Sequence, residues 1–168
     1  MFSLEVFFDY ICPYCLRAHD YLLELIPNYP DIDIIWRPCE SHPRPERFSP
    51  HSDLIIQGMF FALDCGADLL KYNSIMYKAA LQDKKDIEDA KILSEIVGDF
   101  LDPDDFYDAL KSGKYLEALF KSNQHAFNAS GVWVLPAYRM NGKKLDSIEG
   151  VGVTKSQLKQ FLDQATIK

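Results

Sequence analysis

The sequence predicts an α/β protein in which a strand–helix–strand opening and a hairpin-plus-helix ending enclose a long all-helical middle. Three observations carry this. Residues 3–9 and 32–37 are rich in β-branched and aromatic types, apolar helical spacing persists from 53 to 129, and Asn141-Gly142 lies between two further strand-like runs. With 168 residues, 48% of them hydrophobic, the chain is long enough for one packed core and too apolar for disorder.

The first strand is expected over residues 3–9. Cys12-Pro13-Tyr14-Cys15 follows, and Pro13 suits the first position of a helix, where its missing N–H would be unpaired anyway. Leu16, Leu22, Leu23 and Ile26 then recur at helical spacing until Pro27 and Pro30 end the run. Ile32 to Arg37 reads as a second strand. Residues 38–52 contain Pro38, Pro43, Pro45 and Pro50 and read as an exposed connection, not a binding site.

Helices are expected over Leu54–Leu63, Leu69–Leu81, Ile87–Phe100 and Tyr115–Phe127, with Asp102 as an N-cap and Pro103 as the first residue of a helix between the last two. Val132 to Met140 leads into the Asn141-Gly142 turn, whose two residues both tolerate positive φ, and Leu145 to Ile148 is the expected return strand. Thr154 and Gln157 have capping-box spacing before a last helix with Leu158, Phe161, Leu162 and Ala165 on its apolar face.

Composition limits the partners. Eighteen basic against 25 acidic residues give a net charge of −7, the wrong sign for a phosphate backbone. No apolar run approaches the ~20 residues of a membrane-spanning helix. Residues 2–8 lack the basic head and cleavage site of an export signal, so the cytoplasm is the expected compartment. Thiols are kept reduced there, and four cysteines call for a chemical use more than a structural one.

Cys12 and Cys15 are the candidate reactive pair. At a helix N-terminus the unpaired N–H groups and the positive end of the dipole both favour a Cys12 thiolate. Two intervening residues bring Cys15 within disulfide reach, so Cys12 can attack and Cys15 can resolve. A zinc site would need a second close ligand pair, and Cys39 and Cys65 are isolated, so no metal is expected. Cys39 and Cys65 read as buried or subsurface thiols, with a sharper alternative in which Cys39, at a strand end, joins the exchange. Trp36 and Trp133 read as core residues, and His19, His42, His51 and His125 as surface or packing residues.

Phe7-Phe8-Asp9-Tyr10-Ile11-Cys12-Pro13-Tyr14-Cys15, Trp36-Arg37-Pro38-Cys39 and Gly131-Val132-Trp133-Val134-Leu135-Pro136-Ala137 together resemble the DsbA-like branch of the thioredoxin superfamily. Trp36-Arg37-Pro38-Cys39 resembles the strand end of signal-less cytoplasmic relatives, which include FrnE-like proteins and the 2-hydroxychromene-2-carboxylate isomerases. The resemblance implies a thioredoxin-like fold with a mixed sheet, a thioredoxin-like domain formed by residues 1–50 and 130–168, and a helical subdomain inserted at 51–129. It implies a thiol–disulfide oxidoreductase acting on a protein or small-thiol substrate, with Cys12 the nucleophile and Cys15 the resolving thiol. Pro13 and Tyr14 would tune the thiolate, Pro136 would be a cis-proline, and Leu135 would pair with substrate. No cofactor beyond the cysteine pair is implied, although glutathione could be a co-substrate.

Two departures qualify the resemblance. Tyr14 stands where exported relatives carry His, so Cys12 is expected to be less acidic and the couple less oxidising. The position six residues before Cys12 is Val6, not the family's buried acid, and the neighbouring Glu5 should face away. Two alternatives remain at this level: a glutathione-dependent isomerase or transferase, which usually carries Ser in place of the first Cys, and a non-catalytic binding module.

Overall fold

The computed structural model describes residues 1–167. Strand β1 (Phe2–Phe8) occupies an interior position of a four-stranded sheet. It pairs in parallel with β2 (Ile32–Pro38), from Phe2 opposite Ile32 to Phe8 opposite Pro38. Its other edge pairs antiparallel with β3 (Ala137–Met140), and β3 pairs with β4 (Lys143–Asp146), giving the order β2-β1-β3-β4. The sheet is therefore mixed, as expected.

Alternation along β1 builds two apolar layers. Leu4, Val6 and Phe8 join a continuous core that includes Leu22 of helix α1 (Pro13–Leu25), Ile55 of α2 (Asp53–Asp64), Tyr72 of α3 (Leu69–Tyr77) and Leu158 of α7 (Lys155–Ala165). Phe7 faces the other way, into a small cluster with Cys39, Ala126, Val132 and Ala137. Three further helices complete the middle of the chain: α4 (Ala90–Ile96), α5 (Pro103–Ser112) and α6 (Leu116–Gln124). The large core runs without interruption from the sheet into these helices, since Phe106 and Leu119 belong to it too.

The local stop and start signals act as read. Asp102 accepts the N–H groups of Asp104 and Asp105, and Thr154 and Gln157 form a complete capping box. Asn141 and Gly142 adopt φ of 50° and 72°, so the two-residue turn sets Lys143 directly opposite Met140. That register places β4 at 143–146, two residues earlier than the expected return strand at 145–148.

Other boundaries are shorter than the apolar pattern. Helix α3 gives way after Tyr77 to a wider π turn over Lys78–Gln82, and α6 does the same over His125–Ala129. The expected helix at 87–100 is helical only at Ala90–Ile96, because the Asp89 side chain caps it by accepting from Lys91 and Ile92. Ile87 and Val97 are still fully buried, so periodicity there reported burial and not helix length. Residues 132–136 do not enter the sheet. Pro136 has no N–H to donate to a ladder, and the Val132 N–H turns back to the Ala126 carbonyl at 2.9 Å.

Candidate active site

Cys12 is the N-cap of α1. Its Sγ accepts the N–H of Cys15 at 3.3 Å, and the helix then proceeds from Pro13. This occupies one of the orphan donors of the first turn with a sulfur, which favours the charged form. Cys15, one turn on, is 2% exposed and lies against the aromatic core. The two thiols shift in opposite directions. The Cys12 pKa is lowered, first by a hydrogen bond from the Cys15 thiol and also by the backbone N–H groups of Cys15 and Tyr14, against an opposing effect of burial. That of Cys15 is raised well above the ordinary value, chiefly by burial. The charged form is thus favoured at Cys12 and disfavoured at Cys15.

Folding therefore leaves Cys12 binding fewer protons than in the unfolded chain. Its contribution to the stability of the dithiol form grows as pH rises from the folded pKa to the ordinary thiol value, and is lost as pH falls through the folded pKa. Cys15 and Cys39, both raised, act oppositely above the ordinary thiol range, where only the unfolded chain ionises. Alkylation of reduced protein by iodoacetamide, read site by site by mass spectrometry, is expected to give a Cys12 midpoint below that of the denatured chain. Cys15 and Cys39 are expected to stay unlabelled over that range. A Cys12 midpoint matching the denatured chain would contradict the geometry.

Across from Cys12 lies the segment 133–136. The Cys12 Sγ is 4.0 Å from the Leu135 carbonyl, and the Leu135–Pro136 peptide is cis. The Pro136 carbonyl accepts from the Ser147 hydroxyl at 2.5 Å, which ties this segment to the residues after β4. The 150–152 loop then covers the first turn of α1. Tyr14 donates to the Gly150 carbonyl at 3.0 Å, and Arg17 donates to that of Val151. Gly152 is required at this contact: φ is 80°, and a Cβ would lie 2.9 Å from the Arg17 guanidinium and 3.1 Å from Tyr14. The Tyr14 hydroxyl is thus engaged with the loop.

The residues expected at the site lie close together: Pro13, Tyr14 and Cys15 follow Cys12 in the first turn of α1, Cys12 meets Leu135, and Cys15 and Pro136 line one small cavity. Several residues beside them were not singled out in the sequence. Asp9 is fully buried, and its Oδ2 accepts the Ser41 N–H at 2.7 Å. Burial raises its pKa, opposed by hydrogen bonds from Ser52, Ser41 and Ile11. An acid three residues before a reactive Cys was the available signal. The 38–52 segment, read as an exposed connection, instead supplies part of the wall beside Cys12 through Glu40, Ser41 and Pro43. It is held by Asp9, by Asn123 on Glu40, and by His51, whose two ring nitrogens meet Glu88 at 2.8 Å and the Glu46 carbonyl at 2.7 Å.

The remaining cysteines and tryptophans divide. Cys39 is fully buried, and its pKa is raised by burial and then by Asp9 and Cys12. Cys65 is exposed just after α2, contrary to the expectation of a buried thiol. Trp36 packs edge-on against Phe8, whereas Trp133, expected in the core, is 79% exposed. Trp133 lies in the segment that stays out of the sheet and stacks only on Phe127, which is itself half-buried. Among the described residues no three His, Cys, Asp or Glu side chains gather as metal ligands. Among them, too, no helix is long and apolar enough to cross a membrane. Glu5 faces away from the core and holds Arg37 and His125, at 2.7 and 2.9 Å.

The DSBA-like thioredoxin domain profile matches residues 3–164. The chain belongs to the DsbA-like thioredoxin family. Among structures similar to this DsbA-like chain is Chlamydia trachomatis DsbA, with a TM-score of 0.76 and 12% identity over 97% of this chain and 85% of that one. The Pseudomonas aeruginosa cytosolic disulfide reductase DsbM, solved with GSH, superposes with a TM-score of 0.73 and 16% identity over 96% and 98% of the two chains. Among curated sequences, the uncharacterised Bacillus subtilis protein YwbO is 23% identical over 80% of this chain and 84% of its own. At these identities the likeness of the solved structures is one of fold, and the chemistry of the DsbA-like chain rests on its own residues.

Proposed function

We propose that this DsbA-like protein exchanges disulfides with a protein or small-thiol substrate through Cys12 and Cys15. The observation that carries the reading is Cys12 at the N-cap of α1, its sulfur accepting the Cys15 N–H and facing the Leu135 carbonyl while Cys15 stays buried. In the reducing direction the Cys12 thiolate attacks a substrate sulfur, the substrate S–S bond breaks, and one substrate thiolate leaves and takes a proton from water. Cys15 then attacks Cys12 Sγ, the Cys12–substrate bond breaks, and the second substrate thiolate leaves with the Cys15 proton, giving a Cys12–Cys15 disulfide. Leu135, next to Pro136, is the backbone group we assign to substrate pairing, and Pro13 and Tyr14 shape the first turn. Tyr14 brings no positive charge to the sulfur, which supports a less oxidising couple and a reducing, cytoplasmic setting.

The test is the reduction of insulin by dithiothreitol, followed by turbidity. Addition of the protein is expected to shorten the lag and steepen the rise. A trace identical to the protein-free control, from protein shown to carry reduced Cys12, would remove general exchange as its activity.

A further inference from the structure

Beside Cys12 the surface opens into a groove of about 600 Å³ whose walls have an unusual charge for a site that meets small thiols. Two carboxylates, Glu40 and Glu149, line it, and among the described residues no Lys or Arg does. Glu149 is exposed. Glu40 is 4% exposed, its carboxylate is met at 3.0 Å by the amide of Asn123, and burial raises its pKa, so Glu149 is the carboxylate open to a ligand. The third feature is the Trp133 indole, stacked on Phe127 with ring centroids 6.1 Å apart and otherwise open to solvent. An exposed indole face beside carboxylates suits a guanidinium, which is planar, stacks on aromatic rings and pairs with carboxylates. Glutathione disulfide fits poorly, because each half carries two carboxylates against one ammonium.

We propose that this groove selects disulfides in peptide segments with an arginine next to the cysteine, and that it disfavours anionic low-molecular-weight disulfides such as that of glutathione. The inference rests on the exchange reading and adds its substrate class. The arginine lies on Trp133 and against Glu149 while Cys12 attacks the neighbouring sulfur. The chemical step is unchanged: the Cys12–peptide bond forms as the substrate disulfide breaks, and the leaving thiolate departs with the bonding pair.

The experiment uses the full chain with both site thiols reduced, in single turnover. Two peptides, identical except for Arg or Glu beside the cysteine, and glutathione are each joined by a disulfide to thionitrobenzoate. Release of that thiolate is followed by absorbance, and each rate is divided by the rate with dithiothreitol to remove the substrate's own reactivity. The expected normalised preference for Arg over Glu is about tenfold, the combined size of one exposed ion pair and one cation–π contact. It should shrink toward unity in ~1 M salt, where the screening length falls to about 3 Å. Glutathione is expected to follow the Glu peptide. Glu149→Lys should reverse or abolish the charge preference, and Trp133→Ala should slow the Arg peptide more than the Glu peptide. Both side chains are exposed, so neither variant threatens the core. Equal normalised rates for the two peptides, or a preference unchanged in Glu149→Lys, overturn the inference while leaving exchange intact. Absence of release beyond that of Cys12→Ser with every substrate removes exchange itself, and this inference with it.

Discussion

Cys15→Ser is expected to convert the protein from a turning-over exchanger into a trap. Cys12 would still attack, because its position at the N-cap depends on the Cys15 backbone N–H, which serine retains. Without a second thiol the mixed disulfide has no internal route to resolution. With a disulfide substrate and no dithiothreitol, one equivalent of covalent adduct should accumulate, visible by non-reducing electrophoresis and intact mass, and insulin reduction should then depend on dithiothreitol attacking that adduct. The variant also removes a hydrogen bond from the Cys15 thiol, the largest influence lowering the Cys12 pKa. The serine hydroxyl can replace that donor, so the attack step should slow far less than turnover. Cys12→Ser should form no adduct and lose exchange entirely. Full turnover in Cys15→Ser would mean that another thiol resolves the intermediate. Cys39, buried behind β1 with its Sγ on the Phe8 carbonyl at 3.8 Å, is poorly placed for that.

The second large effect concerns the helical middle, far from any sulfur. Gly58 of α2 is where three helices meet, and a Cβ there would clash with the Tyr72 hydroxyl and lie 2.6 Å from Cζ of Phe106. Both rings are fully buried, and Tyr72 donates to the Ile55 carbonyl at 2.7 Å. Valine at 58 would gain a few tenths of a kcal/mol in helix propensity over glycine. It would lose more: about 1–3 kcal/mol from overpacking and a further ~1–3 if Tyr72 is pushed off its acceptor. Gly58→Val is therefore expected to cost about 3–4 kcal/mol and lower the melting temperature by roughly 10 °C. Calorimetry or urea denaturation would check it, and an unchanged midpoint would show that α2, α3 and α5 separate more easily than their packing implies. Helix α2 also begins directly after Ser52, whose side chain neighbours the buried Asp9.

These two expectations differ in how much of each could be read without a structure. The Cys12–Cys15 pair, the helix it opens, the Asn141-Gly142 turn and the Thr154–Gln157 box are local. Each is completed by partners within a few residues, so chain order alone sets the geometry. Gly58 was invisible, because its constraint comes from rings 14 and 48 residues away. Trp133 misled for a related reason. Its flanking Val132, Val134 and Leu135 look like a strand, but Pro136 cannot continue a ladder, and the run stays outside the sheet.

Sequence by itself determined the α/β order and a Cys12–Cys15 pair at a helix start, because caps, turns and apolar periods are written in near neighbours; the proline segment opposite that pair was expected only from the resemblance. The tertiary structure alone decided that Asp9 and Glu40 are buried acids near the sulfurs, that Cys39 is buried and Cys65 exposed, and that an indole and two carboxylates line one groove with Cys12. Burial and charge environment are sums over contacts between distant parts of the chain. Cys12 meets the Leu135 carbonyl across 123 positions, and no local pattern encodes what else that closure brings alongside.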